Sequence, residues 1–467
     1  MRTLKFTLYP WKQDAINSLV ESLSANESIT ELNLDNFNWT LPFMEGLVKI
    51  LKRNKYIKRL VIQKQFGSFF AMSKDTWARF CDGLEYYNIH TLELGCFNFD
   101  ERRLNDFNNG IKYNQSIKSL IFTYEVFSGQ TFENLCNMLA FNPTIEELQL
   151  IRCFNRYGHQ YTHFKQVLKA NYLKKLTINN SYLNTGNFCM ISKGLKHNKS
   201  ITELNLPSNL LDWVELGKIL LKNRSIKKLD LNDNQIANVA DLKLAEISTL
   251  TELSVVNCRG LTSKLFGELC HNKTLKVLRF GFGNQEDENR LENLLNTTTT
   301  LRELEVHLFH ASQSASRSLS NGLKLNKSIR KLSVNFFGRP FNNLAEFLDS
   351  LKTNLTLTEL DLGELQNLAT TNRPLLADVD DLILDLLKSN KTLRHIRGAE
   401  QFVALERNRL TQDTIIYNTC TFIKMILMKP NSFILPIEVW AEVFKYVSFS
   451  FVPFDFERYF KDLTKDS

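Results

Sequence analysis

The sequence of 467 residues contains no apolar stretch long enough for a signal peptide or a membrane-spanning helix. We therefore expect a protein that does not enter membranes and works in the cytoplasm or, alternatively, in the nucleus. Its eight cysteines include no C-x-x-C pair, so neither a zinc site nor a disulfide framework is indicated. A glycine-rich phosphate loop and a Ser/His/Asp motif are also missing. We accordingly expect no cofactor, no metal site and no catalytic residue, and we interpret the protein as non-enzymatic.

What the sequence does contain is a repeat, which is most regular from Asn198 to Leu206, Asn-Lys-Ser-Ile-Thr-Glu-Leu-Asn-Leu. Here Ile201, Leu204 and Leu206 form an L-x-x-L-x-L triplet whose last two positions alternate as in a short strand. Further triplets begin at residues 29, 57, 89, 117, 145, 173, 226, 250, 275, 301, 329 and 357, with a weaker copy at 393. The step is 28 residues in most cases. It shortens to 24 to 26 between Ile201 and Leu301 and lengthens once to 32 and once to 36. A recurring step of this length indicates a repeat array.

A helical pattern precedes each triplet, for example Phe132, Leu135 and Leu139 on one face of a helix. Each unit is therefore predicted to be one strand and one helix, and stacked units bury one continuous core. In these triplets and helices, residues 1–398 resemble the leucine-rich repeat family, in particular the long repeats of the ribonuclease-inhibitor type. The resemblance implies an α/β solenoid, a horseshoe with parallel strands on its concave face and helices on its convex face. Long loops are predicted over residues 63–76 and 363–381, and the sequence does not indicate their role.

Six asparagines of Asn-x-Ser/Thr sequences, which match the N-glycosylation acceptor, occupy the same repeat position between helix and strand. They are Asn26, Asn198, Asn223, Asn272, Asn326 and Asn390. We interpret them as structural residues that end each helix in the left-handed conformation that asparagine tolerates.

The variable residues of each strand should line the concave face and form a mixed surface of both charges. Apolar residues in this surface are candidate hot spots for a protein partner. The candidates are Val61, Ile121, Tyr124 and Ile151 in the early repeats, and Val256, Val277, Phe282 and Phe336 in the later ones. The alternative is irregular packing at imperfect repeats.

A row of basic residues stands at the first variable position of the triplets. It consists of Lys58, Lys118, Lys174, Lys227, Lys276, Arg302, Arg330 and Arg394. The row contributes to the net charge of +8, and the simplest interpretation is that it solvates the strand entrances and pairs with nearby glutamates. Nucleic-acid binding would need a broader basic patch with aromatic platforms in register, so we do not expect it from the sequence.

The repeat rhythm ends before residue 399. Residues 399–430 are predicted to be a helical cap or linker, and residues 431–467 a further helical segment. This last segment resembles the opening of the F-box at Leu435, Pro436, Glu438, Val439, Val443 and Phe444. The resemblance implies that these residues bind the adaptor subunit of a cullin-RING ubiquitin ligase while the repeats bind its substrate. The alternative is a plain cap on the last repeat.

The sequence thus favours a protein-recognition function, as the substrate receptor of a ubiquitin ligase. The alternatives are an interaction scaffold or host-interaction protein without a ligase link, and a GTPase-activating protein of the leucine-rich type. A monomer is expected in the absence of partners.

Overall fold

The computed structural model describes residues 3–5, 12–35, 39–63, 72–154, 160–235, 242–258, 263–282, 288–308, 313–336, 344–363 and 374–397. All of them belong to the first of two units into which the chain divides, Met1–Val403. None of the helices in these ranges combines the length and the apolar character needed to cross a bilayer.

The strands of these ranges form one open sheet in which each strand pairs, in parallel, with the next strand of the chain. They are β1 (Thr3–Lys5), β2 (Glu31–Asp35), β3 (Arg59–Gln63), β4 (Thr91–Gly95), β5 (Ser119–Thr123), β6 (Glu147–Ile151), β7 (Lys175–Asn179), β8 (Glu203–Asn205), β9 (Lys228–Asp230), β10 (Glu252–Val255), β11 (Val277–Phe282), β12 (Glu303–Leu308), β13 (Lys331–Phe336), β14 (Glu359–Asp361) and β15 (His395–Arg397).

Helices connect most of the consecutive strands. They are α1 (Gln13–Ser24), α2 (Leu41–Arg53), α3 (Lys74–Gly83), α4 (Glu101–Ile111), α5 (Gly129–Phe141), α6 (Phe164–Ala170), α7 (Thr185–Leu195), α8 (Trp213–Lys222), α9 (Ser263–Leu269), α10 (Glu288–Thr297), α11 (Gln313–Leu325), α12 (Leu344–Leu351) and α13 (Pro374–Ser389). Short 3-10 helices cover Leu84–Tyr86, Gln160–His163 and Leu244–Glu246. Several helices begin at a polar side chain that accepts a backbone N–H of the first turn, as at Ser73 and Asp212.

The core lies between the sheet and the helices. The residues of the triplets, such as Ile201, Leu204 and Leu206, are fully buried there and pack against apolar helix residues such as Leu216 and Ile219. The predicted fold class, an α/β leucine-rich repeat solenoid with parallel strands on one face and helices on the other, is confirmed.

The repeat asparagines do not adopt the predicted left-handed conformation. None of the six has a positive φ, and Asn223 is extended, with φ −72° and ψ 134°. Its Nδ2 donates to the carbonyls of Leu195 and Asn198 in the preceding repeat, at 2.7 and 3.0 Å. Its Oδ1 accepts the backbone N–H groups of Ser225 and Ile226. The side chain therefore joins two repeats.

The same bonds recur at most of the equivalent positions, and we call the set the asparagine ladder. Its members are Asn54, Asn114, Asn142, Asn198, Asn223, Asn272, Asn326, Asn354 and Asn390. All nine are buried. Seven of them belong to Asn-x-Ser/Thr sequences in which x is not proline, and their amide groups are already used inside the protein.

The second predicted loop is partly wrong. Residues 374–381 are helical, because α13 begins at Pro374, where a proline at the first helical position loses no hydrogen bond. The first predicted loop, 63–76, ends earlier than expected, since α3 begins at Lys74.

Candidate functional site

The exposed face of the sheet carries a row of alternating charges, which is formed by the first residue of most strands and is unbroken from β6 to β10. Lys175 lies between Glu147 and Glu203 of the neighbouring strands, with Nζ–Oε1 distances of 3.1 and 3.0 Å. Burial opposes the charge of Lys175, but hydrogen bonds to both glutamates raise the pKa of this lysine overall. Lys228 pairs with Glu252 in the same way, at 2.7 Å.

The neighbouring row is also paired internally. Arg279 Nε lies 3.2 Å from Glu305 Oε2, and His307 Nε2 lies 2.7 Å from Glu305 Oε1. The hydrogen bond from His307 lowers the pKa of the Glu305 carboxyl. The face is therefore the mixed surface that the sequence predicts, and many of its charges already have partners within the protein.

Two of the predicted hot spots are not exposed. Val61 and Ile121 are 4% and 5% exposed, although they lie outside the core cluster, on the exposed face of the sheet. They are the register neighbours of Glu93 on either side. Burial raises the pKa of the Glu93 carboxyl, and the nearby Arg59 opposes this shift. The expectation of free apolar side chains fails here because neighbouring side chains cover these positions.

The remaining hot-spot candidates are distributed over separate parts of the sheet. Ile151, Val256 and Val277 are half-buried, and Tyr124 is exposed. The structure brings Tyr124 and Ile151 together, because the Tyr124 N–H donates to the Ile151 carbonyl at 2.8 Å.

Two further candidates, Phe282 and Phe336, are in β11 and β13. Both register with Leu308 of β12, and their side chains lie outside the described part of the structure.

Tyr124 lies in a turn that is held by a backbone hydrogen bond to the next repeat and by the side chain of Arg152. Tyr124 and the equivalent Arg152 both have left-handed backbones, with φ 56° and 55°, and each donates its N–H to a carbonyl of the next repeat. The Arg152 guanidinium lies 5.1 Å from the centre of the Tyr124 ring, and its Nη1 donates to the Tyr124 hydroxyl at 2.8 Å. Tyrosine and arginine are residues that dominate the energetics of protein interfaces.

Three exposed apolar residues adjoin this pair and were missed by the sequence analysis. Val126, Tyr182 and Leu210 are each about half exposed. Each stands four residues after the last apolar residue of its triplet, so this constant offset is the signal that could have found them. We call Tyr124, Val126, Arg152, Tyr182 and Leu210 the turn patch; it lies where β5 to β8 leave the sheet.

The predicted adaptor-binding residues, Leu435, Pro436, Glu438, Val439, Val443 and Phe444, lie outside the described residues.

The repeat array, its parallel sheet and its open polar face define the protein as a leucine-rich repeat solenoid. No family model matches the chain, and no curated protein matches it.

Solved structures of repeat proteins are similar over much of the chain. A leucine-rich repeat-containing protein, LegL7, from Legionella pneumophila is 15% identical, with a TM-score of 0.39 over 75% of this chain and 97% of that one. An internalin from Listeria monocytogenes is 13% identical, with a TM-score of 0.40 over 75% of this chain and 94% of that one. A TLR13–ssRNA13 complex is 13% identical, with a TM-score of 0.34 over 85% of this chain and 54% of that one.

Proposed function

We propose that the protein is a non-enzymatic recognition protein that binds a protein partner through the turn patch and the adjoining face of the sheet. The observation that carries this proposal is the exposed Tyr124 side chain, held in place by Arg152 before any partner arrives.

Pre-ordering matters because association must offset the lost freedom of side chains, at about 0.5 to 1.5 kcal/mol for each one immobilised. The hydrogen bond to Arg152 and the left-handed turn restrict Tyr124 in the free protein. Burying the patch would then gain apolar contact at a reduced entropic cost.

The charged rows of the sheet contribute to electrostatic complementarity with the partner more than to the affinity for it. Pairs such as Lys175 with Glu147 are satisfied in the free protein, so a partner gains little by pairing with either residue. We therefore expect substitutions in the patch to affect dissociation, and substitutions in the rows to affect mainly the salt dependence of association.

The test uses the full-length protein, crosslinked and captured from cells, with bound proteins identified by mass spectrometry. Tyr124→Ala with Leu210→Ala should lose a protein that the wild type retains. The matched control is Met190→Ala, which removes a large side chain of similar exposure from the helix α7. Retention of every partner by the patch variant, or equal loss in the control, would contradict the proposal.

The more specific role that we propose is that of substrate receptor of a cullin-RING ubiquitin ligase. It is supported by the resemblance of the segment around Leu435 and Pro436 to the opening of the F-box. The subtype similar to ribonuclease inhibitor likewise remains a proposal, supported by the repeat length. A truncation ending at Lys429, and Leu435→Ala with Pro436→Ala, should lose adaptor and cullin subunits that the full chain captures. Capture of the same proteins by all forms would instead favour a scaffold without a ligase link.

A further inference from the structure

The connections that run from the end of each helix to the start of the next strand form one edge of the solenoid, which we call the helix-to-strand edge. The turn patch lies at the other edge, where the strands end. The helix-to-strand edge comprises residues 25–30, 54–58, 87–90, 112–118, 142–146, 171–174, 196–202, 223–227, 247–251, 270–276, 298–302, 326–330, 352–358 and 390–394, with the helix-end residues directly before them. The structure describes all of these connections.

The connections are strongly basic. Their cationic residues are Lys55, Lys58, Lys112, Lys118, Lys174, Lys196, Lys199, Arg224, Lys227, Lys273, Lys276, Arg302, Lys327, Arg330, Lys352, Lys391 and Arg394. Within the same segments, which the structure describes in full, the carboxylates are Glu27 and Glu146. Glu146 is occupied by Lys118 and Lys174, at 3.5 and 2.9 Å. The basic row predicted from the triplets is therefore part of a broader band of positive charge. Two lysines of this band are paired with carboxylates of helices: Lys196 with Glu215, and Lys352 with Asp349 and Asp385.

Aromatic side chains are interleaved with this charge. Five consecutive connections, those leading into β3 to β7, each present one exposed ring: Tyr56, Tyr86, Tyr113, Phe141 and Tyr172. Phe141 is 85% exposed, and Tyr86 and Tyr113 are 59% exposed. Side chains at such exposure bury little apolar area in the fold, so packing accounts for little of the placement of one ring in each connection.

Charge and ring are also adjacent. The ammonium of Lys52 lies 4.6 Å from the centre of the Tyr86 ring, and that of Lys112 lies 5.1 Å from the centre of the Tyr113 ring. A cation that can bind a phosphate thus stands beside a ring that can stack on a base.

Farther along the same edge the band widens into a cleft of about 360 Å³. Its cationic lining is Arg302, Lys327, Arg330, Lys391 and Arg394, and no carboxylate is among the described residues that line it. Arg302 is fixed against the wall, because its Nη1 donates to the carbonyls of Thr299 and Ser328, at 3.1 and 3.0 Å.

We propose that the helix-to-strand edge binds single-stranded nucleic acid. The rings of Tyr113, Phe141 and Tyr172 stack on bases, and the lysines and arginines of the band hold the phosphates. A basic groove with aromatic platforms in register is the arrangement by which single strands are bound without sequence preference. The sequence alone argued against nucleic acid because those platforms were not evident; the structure supplies them.

A single strand fits this edge better than a duplex or an acidic protein. Rings can stack only on bases that are not already paired and stacked, and an acidic peptide would use the charges but not a ring in every repeat. The site lies on other residues than the turn patch, so it can hold or fail independently of the proposed partner binding.

The experiment measures fluorescence anisotropy of labelled single-stranded RNA of mixed sequence, about 16 nucleotides long, with the full-length protein over a range of salt concentrations. Each of Tyr113→Ala, Phe141→Ala and Tyr172→Ala should raise Kd about fivefold or more. Met190→Ala, which removes an exposed large side chain from α7, is the control and should leave Kd unchanged.

A second set of variants tests the phosphate contacts. Each of Lys227→Ala and Lys276→Ala should weaken binding and reduce the slope of log K against log salt by about 0.7. Lys49→Ala and Lys165→Ala, exposed lysines on α2 and α6, should change neither quantity.

Three results would overturn the proposal. The first is the absence of RNA binding at low salt, and the second is binding that the aromatic variants leave intact, which would make the edge a general polyanion surface. The third is tighter binding to phosphatidylserine vesicles than to RNA, with loss of vesicle binding in the same aromatic variants, which would make it a membrane-binding surface.

Discussion

Replacing Glu125 should stabilise the protein above neutral pH. Glu125 is fully buried, in the third position after its triplet, where Asn209 and Asn234 stand in other repeats. Its Oε2 accepts the Asn98 N–H at 2.9 Å, and its other oxygen accepts the Phe97 N–H. Burial raises the pKa of the carboxyl from 4.5 to about 8, although these backbone donors oppose the shift.

The direction of the pH effect follows from this raised pKa. The folded protein keeps the proton of Glu125 to a higher pH than the unfolded chain does, so the ionised carboxylate disfavours folding. Stability from this group is complete below pH 4.5 and declines as the pH rises to about 8. At 1.36 kcal/mol per pKa unit, the full decline is about 4 to 5 kcal/mol as an upper limit.

The substitution to test is Glu125→Asn, because asparagine occupies the equivalent position in other repeats. Asn209 accepts the N–H groups of Ser181 and Leu183, and its Nδ2 donates to the Ile178 carbonyl at 2.8 Å. An uncharged amide removes the ionisation cost, while the lost methylene costs about 1 kcal/mol. The variant should gain about 3 kcal/mol at high pH and lose about 1 kcal/mol at low pH, where the wild-type carboxyl is protonated.

Urea unfolding followed by circular dichroism, on both proteins from about pH 4 to pH 9, measures this difference. Subtracting the unfolding free energy of the wild type from that of the variant at each pH removes the contribution of the histidines, which both proteins share. The reasoning is refuted if the difference does not change with pH, or if the variant is less stable throughout.

Three further predictions concern the ladder, the thiols and the charge row. Asn223→Ala breaks four hydrogen bonds to backbone groups and should cost about 3 kcal/mol or more in urea unfolding, whereas a cost near zero would contradict the ladder. The exposed Cys189 should react with a thiol reagent in the folded protein, whereas Cys258, whose pKa burial raises to about 12, should react only on unfolding; equal rates by mass spectrometry would contradict this. Lys175→Met should lose about 1 kcal/mol or less at low salt and nothing at high salt, and a large loss that ignores salt would show that packing dominates.

The fold could be predicted because one sequence pattern, the L-x-x-L-x-L triplet, recurs along the chain and determines it. Alternation within each triplet places two side chains on one side of a strand, and a constant period repeats that choice. Even the weak triplet ending at Ile396 forms the strand β15. The helix at Pro374 was missed because this proline and three aspartates suggested a loop. The apolar spacing of Ile383, Leu386 and Leu387, which are buried, was the better guide.

The candidate surfaces were less predictable because they depend on neighbours in space. The position of Val61 within its triplet places it on the exposed face of the sheet, but it does not show that adjacent side chains cover this valine. The edge aromatics have no constant offset from their triplets: Tyr113 stands four residues before its triplet and Tyr172 only one. Stacking of the repeats is what brings them to the same edge of the solenoid.

The asparagine ladder gives the solenoid a direction. Leu351, at the end of α12, has its carbonyl bonded by Asn390 of the following repeat, at 2.7 Å, and Leu195 of α7 is bonded by Asn223 in the same manner. Part of the C-terminal cap of each of these helices is thus supplied by an asparagine of the following repeat, not of the preceding one. Replacing Asn223 by alanine should therefore give faster amide exchange at the end of α7, in the preceding repeat, than at the end of the helix in the following repeat.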